Sequence, residues 1–330
     1  MAETKPEKLS FSKIDTYDQC PYRFHLKYDL KNFVSVDNAA TAFGSLVHKV
    51  FEIQTNWIVG GKPIDYEFLK KYFVEADGAG GTPCGTDILS RKYKSEWFTV
   101  DKTGRSYAQK AQRFLEDGIY RLERYMKENP DLELYAAELP FEYMYSHNNK
   151  KYLFHGFIDR VFVHKSDRSH LEIHDIKTSA KAYADKKCVT PLQMVVYVQA
   201  LKEILPKDEF GKNLKIDCYY EFPIAEEMKK GGTPGFINRG LKKIDSLIDG
   251  FSSGDYEPSP SQLCYWCEFS NTNPSVTEEG KNKCPYYSLY TPSNQTYNTF
   301  LPWLGMGCDE IQRKKLLAIK SLDDEEDFEI

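Results

Sequence analysis

Phe154-His155-Gly156-Phe157-Ile158-Asp159-Arg160-Val161-Phe162-Val163 and, beyond a polar turn from His164 to His170, Leu171-Glu172-Ile173-His174-Asp175-Ile176-Lys177 read as the two strands of one hairpin. Folded symmetrically about Asp167, the hairpin sets Asp159 directly opposite Asp175. Directly opposed residues have Cβ atoms only about 4.5–5.5 Å apart, where like charges repel. A chain that builds such a pair has a cation to put between them. Side chains alternate along a strand with period two, so Lys177 shares a face with Asp175. Asp175 and Lys177 alone would fit a surface salt bridge. With Asp159 opposite, two carboxylates and an ammonium outline a metal-dependent phosphodiesterase site.

Working outward, three strands are expected near 134–145, 152–163 and 170–177. An amphipathic helix is expected before them from Tyr107 to Lys127, with Ala111, Phe114, Leu115, Ile119, Leu122 and Tyr125 at helical spacing. Thr41 to Gln54 reads as a helix, and so does Leu9 to Tyr28 with a break at Pro21. A helix from Pro191 to Leu205 and a strand from Leu214 to Phe222 follow. A further helix carries Ile237, Leu241, Ile244 and Ile248 and is closed by Gly250. This order predicts an α/β fold with a small mixed sheet flanked by helices.

The chain has 330 residues, 41% of them apolar and 28% charged, which is enough for a core and suits a soluble protein. No apolar run reaches the ~18 residues of a membrane span, and Met1 to Lys8 holds no hydrophobic signal core. The expectation is a cytoplasmic or nucleoid-associated protein with no membrane partner, phage-encoded origin included. Eight cysteines in that setting point to metal ligands or free thiols rather than disulfides. The net charge is −5, but the tail 321–330 holds six of the 49 acids, and the rest balances 43 acids against 44 bases. Charge therefore does not exclude nucleic acid. The acidic tail is expected to be disordered, with docking of a protein partner as its alternative role.

In order, the chain contains Gly44-x-x-x-His48, Gly156-Phe157-Ile158-Asp159-Arg160, Asp175-Ile176-Lys177 and Gln193-x-x-x-Tyr197. These motifs and their spacing resemble the RecB-type branch of the PD-(D/E)XK nuclease superfamily, whose core is restriction-endonuclease-like. The resemblance implies Mn²⁺ or Mg²⁺ on His48, Asp159, Asp175 and the carbonyl of Ile176. It also implies catalytic roles for Asp159, Asp175, Lys177, Gln193 and Tyr197. A nitrogen ligand tilts such a site towards Mn²⁺. Gln193 also fits a capping box with Thr190 as N-cap, and Tyr197 fits a core aromatic. His155 and His174 read as structural. The implied activity is DNA hydrolysis by an exonuclease on single strands or free ends, with endonuclease activity as a second implied activity. DNA repair, recombination, and phage or CRISPR DNA processing are the candidate settings. The alternative is a catalytically silent DNA-binding scaffold.

Cys264-Tyr265-Trp266-Cys267 and Cys284 leave one place to fill in a four-thiolate site. Ser10 to Phe24, around Cys20-Pro21, resembles the opening of the iron–sulfur RecB-type nucleases, which include the AddB nuclease domain and the CRISPR-associated RecB-like exonucleases. The resemblance implies a [4Fe-4S] cluster on Cys20, Cys264, Cys267 and Cys284, with Zn²⁺ as the alternative. One departure stands out: sixteen residues separate Cys267 from Cys284, more than the family's usual spacing. The expected organisation is a single nuclease domain over 1–320. It has a helical insertion at about 55–130 and a cysteine region at about 255–290 packed with the segment around Cys20.

Overall fold

The hairpin of residues 154–177 lies at the centre of a six-stranded sheet in the computed structural model. The structure describes residues 6–34, 38–77, 84–101, 103–270, 280, 283, 284 and 286. The acidic tail 321–330 lies outside the described residues. The strands are β1 (Glu7–Leu9), β2 (Leu132–His147), β3 (Lys150–His164), β4 (His170–Ile176), β5 (Lys215–Phe222) and β6 (Glu227–Gly231). The order is β1-β3-β4-β5-β6, with β2 on β3. Pairing is parallel for β1–β3 and β4–β5 and antiparallel elsewhere, so the sheet is mixed.

Two turns set the registers that matter. Asn148 and Asn149 both have positive φ, 47° and 61°, the backbone a two-residue hairpin loop demands. They fix His147 opposite Lys150. At the other end, Asp167 accepts from the N–H and hydroxyl of Ser169. The β3–β4 ladder runs Val163↔Leu171 to Arg160↔His174 and ends there; continued by one step, the same register would bring Asp159 to Asp175. β2 occupies one edge of β3 throughout. On the other edge β1 pairs with residues 152–154 and β4 with 160–163, so among the described residues that edge is open at 155–159.

The chain packs as two units, Met1–Phe11 with Asn38–Asp245, and Ser12–Asp37 with Ser246–Ile330. The first holds the sheet and its helices: α3 (Ala39–Val59), α4 (Tyr66–Glu75), α5 (Thr86–Lys92), α6 (Lys94–Phe98), α7 (Tyr107–Glu116), α8 (Arg121–Glu128), α9 (Asp185–Cys188), α10 (Leu192–Ile204) and α11 (Lys207–Phe210). Asn38 caps α3 by accepting from the Thr41 N–H at 2.9 Å. Phe43, Leu46, Val47, Val50 and Phe51 of α3 recur at i, i+3, i+4, i+7 and i+8 and are buried with Phe73, Trp97 and Phe114. In the second unit, α1 (Phe11–Gln19) contributes the buried Ile14 and Tyr17, and α2 (Pro21–Phe24) follows Cys20 at its N-cap. α12 (Phe236–Ser253) carries the boundary between the units.

Four expectations change. Gly250 does not close the last helix: it lies inside α12, which runs to Ser253 with Gly254 following at φ 76°. The helix over 107–127 is interrupted by a 3₁₀ turn at Gly118–Tyr120. A Cβ on Gly118 would lie 2.9 Å from the Phe114 ring and 3.0 Å from the Pro223 carbonyl, so the chain turns where only glycine fits. Leu9 belongs to β1 rather than to the first helix. Thr190 does not cap α10: the N-cap is Pro191 with no side-chain bond, and the Thr190 hydroxyl accepts from Arg239 instead.

Candidate active site

The same register argument that opposes Asp159 to Asp175 extends one strand further. The β2–β3 ladder pairs Ala137 with Arg160 and Leu139 with Ile158, so Glu138 lies opposite Asp159. Three acids therefore form a row across β2, β3 and β4. Glu138 has φ of 44°, a conformation that costs a non-glycine residue roughly 1–3 kcal/mol. It sits just past the β-bulge between Leu134 and Ala136.

α3 brings His48 to this row. Its Nδ1 is 3.7 Å from Asp159 Oδ2 and 4.0 Å from Glu138 Oε1. Ligand atoms of His48, Glu138 and Asp159 all lie within 4.8 Å of one another, a spacing that suits a divalent cation. Close approach of α3 depends on Gly44, where a Cβ would stand 3.3 Å from the Thr178 hydroxyl. Asp159 also accepts from the Ile176 N–H at 2.7 Å. Its carboxylate thus satisfies a backbone donor where the edge of β3 stands open, and this fixes its position.

Asp175 is 1% exposed, with Oδ2 2.6 Å from Lys177 Nζ. Its carboxylate is turned to that ammonium and lies outside the three-residue group. Lys177 also donates to Gln193 Oε1 at 3.1 Å, and Gln193 Nε2 donates to the Tyr197 hydroxyl at 2.8 Å. Gln193 and Tyr197 sit one turn apart on α10, the spacing that lets side chains meet. The Phe141 ring packs edge-on against Tyr197 at 6.0 Å. Gly156 makes room for Phe141, since a Cβ there would be 2.9 Å from the ring. The glycine of the Gly-x-x-Asp-Arg motif is therefore linked through Phe141, Tyr197 and Gln193 to Lys177. Among the expected residues, the structure joins His48 with Asp159, and Asp175 with Lys177, Gln193 and Tyr197. Ile176 contributes its N–H to Asp159.

The electrostatics follow from burial. Desolvation pushes Glu138 up to about 7, with Asp159 and Glu52 adding to the rise. Burial also raises Asp159, against the Ile176 N–H and Lys177. Burial raises Asp175 too, with Lys177 opposing and Asp159 reinforcing. Burial lowers His48, so its imidazole is neutral near pH 7, the form that ligates metal. Lys177 is raised: burial works against its charge, but Asp175, Tyr183 and Asp159 together outweigh it. Such a lysine stays cationic at neutral pH.

Beneath the row, Arg160 is 1% exposed and pairs with Glu221 at 2.7 Å. Its guanidinium lies 5.0 Å from the centroid of Phe51. His174 is fully buried between Glu172, at 3.3 Å, and Glu221, at 3.5 Å. It is turned from the acid row, as a structural reading requires.

Glu138 was missed in the sequence, although a signal existed. Folding the first hairpin about Asn148-Asn149 places it opposite Asp159 by the reasoning already applied to Asp175.

In the second unit Cys20, Cys264, Cys267 and Cys284 line one pocket with Arg23 and Phe269. Each sulfur faces a backbone N–H: Ser259 for Cys20, Ser261 for Cys264, Phe269 for Cys267 and Tyr286 for Cys284. Burial raises Cys264, Cys267 and Cys284, and neighbouring thiols of the group add to each rise. Glu268, beside Cys267, is held by Arg23 at 2.8 Å and Lys27 at 3.1 Å.

Residues 8–272 match the family model of the PD-(D/E)XK nuclease superfamily. One subunit of the ATP-dependent helicase/deoxyribonuclease, from three strains of Clostridium perfringens, is 27% identical over 212 residues, 58% of this chain and 17% of the relative. The chain thus spans under a fifth of those relatives' length. The crystal structure of SSO0001 covers 84% of this chain and 91% of its own at 14% identity, with a TM-score of 0.34, too loose to carry weight.

Proposed function

The chain belongs to the PD-(D/E)XK nuclease superfamily, and on that premise we propose that it is a metal-dependent deoxyribonuclease, an exonuclease on single-stranded DNA or DNA ends. The observation that carries this is the row Glu138–Asp159–Asp175 with His48 and Lys177 at its two ends. His48, Glu138 and Asp159 would hold Mn²⁺ or Mg²⁺, with Asp175 and the Ile176 carbonyl as further ligands on rearrangement. The chemistry that such an ion would supply there is activation of water and neutralisation of phosphate charge. Lys177 stays cationic beside Asp175 and stabilises the charge that builds on the phosphoryl oxygens as water adds to phosphorus and the P–O bond breaks. Gln193 and Tyr197 orient that ammonium. A silent scaffold would have no use for this row, which leaves buried like charges in mutual repulsion.

The thiol pocket is the proposed seat of a [4Fe-4S] cluster on Cys20, Cys264, Cys267 and Cys284. Four converging thiols with backbone N–H groups aimed at them are an environment for anionic sulfur ligands. A single zinc ion with Zn–S near 2.3 Å would draw the sulfurs to within about 3.8 Å of each other. Zn²⁺ is the alternative occupant, and metal analysis of the purified protein tells the two apart. Binding of the cluster would staple the segment around Cys20 to the C-terminal cysteines. Among the described residues no helix is long and apolar enough to cross a membrane, and DNA is the proposed partner.

The test is degradation of end-labelled single-stranded and duplex DNA by anaerobically purified protein with Mn²⁺, Mg²⁺ or EDTA, beside Asp175→Ala. Metal-dependent cleavage that disappears in the variant is expected. Folded, iron-replete protein that cleaves nothing would overturn the proposal.

A further inference from the structure

One rung outward from Glu138 and Asp159, the β2–β3 register pairs Pro140 with Phe157. Side chains alternate along a strand, so Phe157 shares the face of Asp159, about 7 Å further along. Phe157 is 58% exposed, and Pro140 is exposed beside it. The opposite face of the same ribbon is well packed: Phe141, Tyr143, Phe154 and Ile158 are all buried. Phe157 therefore adds little to the core, and among the described residues its ring has no aromatic partner. A proline opposite is tolerated because the outer edge of β2 has no strand to donate to among the described residues. The register thus sets an exposed proline and an exposed phenyl ring side by side, two residues along each strand from Glu138 and Asp159.

We propose that Phe157, with Pro140 at its side, is a stacking shelf for an unpaired base of the substrate next to the scissile phosphate. This rests on the reading of the chain as a DNA nuclease and narrows its substrate to single-stranded DNA. A phosphate brought to the acid row carries its neighbouring nucleotide across the next rung of the ribbon. Every base has a π-face, so an aromatic shelf there grips without regard to sequence. A base still paired and stacked in a duplex cannot lie on it. The occupant is the substrate strand rather than a protein, because the shelf and the acid row are adjacent rungs of one surface.

The test compares wild type with Phe157→Ala, Phe157→Leu and Phe157→Trp on a labelled single-stranded oligonucleotide. It also uses the same oligonucleotide with one abasic nucleotide moved stepwise past the cut. KM and kcat are measured with Mn²⁺, and binding is measured by anisotropy in EDTA. The exposed position should leave thermal unfolding unchanged in all variants. Phe157→Ala is expected to weaken binding and raise KM about five- to 150-fold, the span of one base stacked on one ring. Tryptophan should restore both and leucine should not. One abasic position beside the cut should erase the difference between wild type and Phe157→Ala. Unchanged KM and binding in Phe157→Ala, or leucine serving as well as tryptophan, would overturn the shelf. A wild type that never cleaves, but binds through the ring, would overturn the nuclease reading and leave the shelf standing.

Discussion

Arg160→Met isolates one buried charge pair and predicts a large loss of stability. Arg160 and Glu221 are 1% and 2% exposed and meet at 2.7 Å. Burial alone would raise the Glu221 carboxyl, but Arg160 first and His174 next pull it down to about 2 from its ordinary value of 4.5. That difference corresponds to about 3 kcal/mol, because one pKa unit is about 1.4 kcal/mol. Removing one partner of a buried pair costs about 3–5 kcal/mol by a separate route, since the other charge is left unpaired. A loss of that size is a large part of the ~5–15 kcal/mol that holds a domain folded. The sign with pH also follows. A depressed carboxyl contributes its stability above its unfolded pKa and loses it as pH falls from about 4.5 towards 2. Urea unfolding at pH 7 should therefore show wild type more stable than Arg160→Met by about 3–5 kcal/mol. The gap should narrow by pH 4, where Glu221 of the variant can take up a proton. Arg160→Met/Glu221→Gln should recover at least about 1 kcal/mol, because the uncompensated charge is gone. A single-variant loss under about 1 kcal/mol, or a double variant whose loss is the sum of the two singles, would show that the pair is not coupled in this way.

Three other outcomes are expected. Glu138 has its carboxyl raised to about 7 by burial and Asp159, so metal must displace a proton below that pH. Calorimetry should find Mn²⁺ binding about tenfold weaker at pH 6 than at pH 8, and a pH-independent affinity would contradict it. Cys20→Ala should abolish the iron content of anaerobically purified protein and lower its Tm, because one wall of the thiol pocket is lost; unchanged iron content would exclude Cys20 as a ligand. Gly156→Ala puts a methyl 2.9 Å from the Phe141 ring, which should cost about 1–3 kcal/mol of stability by urea unfolding. It should also lower kcat by loosening Tyr197 and Gln193 behind Lys177, and unaltered kcat would break that chain of contacts.

The hairpin and its register were legible because period-two alternation and one symmetric turn determine which residues face each other. The order of strands and helices followed from apolar spacing for the same reason. The Asn148-Asn149 turn would have exposed Glu138 by the same folding argument, but the positive φ that aims Glu138 is not encoded by a glycine. The break at Gly118 was invisible because it answers to the Phe114 ring and to the Pro223 carbonyl, a partner remote in sequence. Gln193 offered two local explanations, a cap and a site residue. The one-residue later start of α10 leaves its side chain to Lys177 and Tyr197. The role of Arg160 was equally out of reach, because its partner Glu221 is two strands away in the sheet and 61 residues along the chain.

A divalent ion held by His48, Glu138 and Asp159 is what makes phosphodiester hydrolysis possible in the proposed mechanism. Single-turnover cleavage of end-labelled single-stranded DNA should be followed against Mn²⁺ concentration for wild type and Glu138→Gln. Saturable cleavage by wild type is expected, with none in EDTA and a Mn²⁺ requirement raised at least about tenfold in the variant. Cleavage that persists in EDTA, or identical Mn²⁺ dependence in both proteins, would contradict that role for the ion.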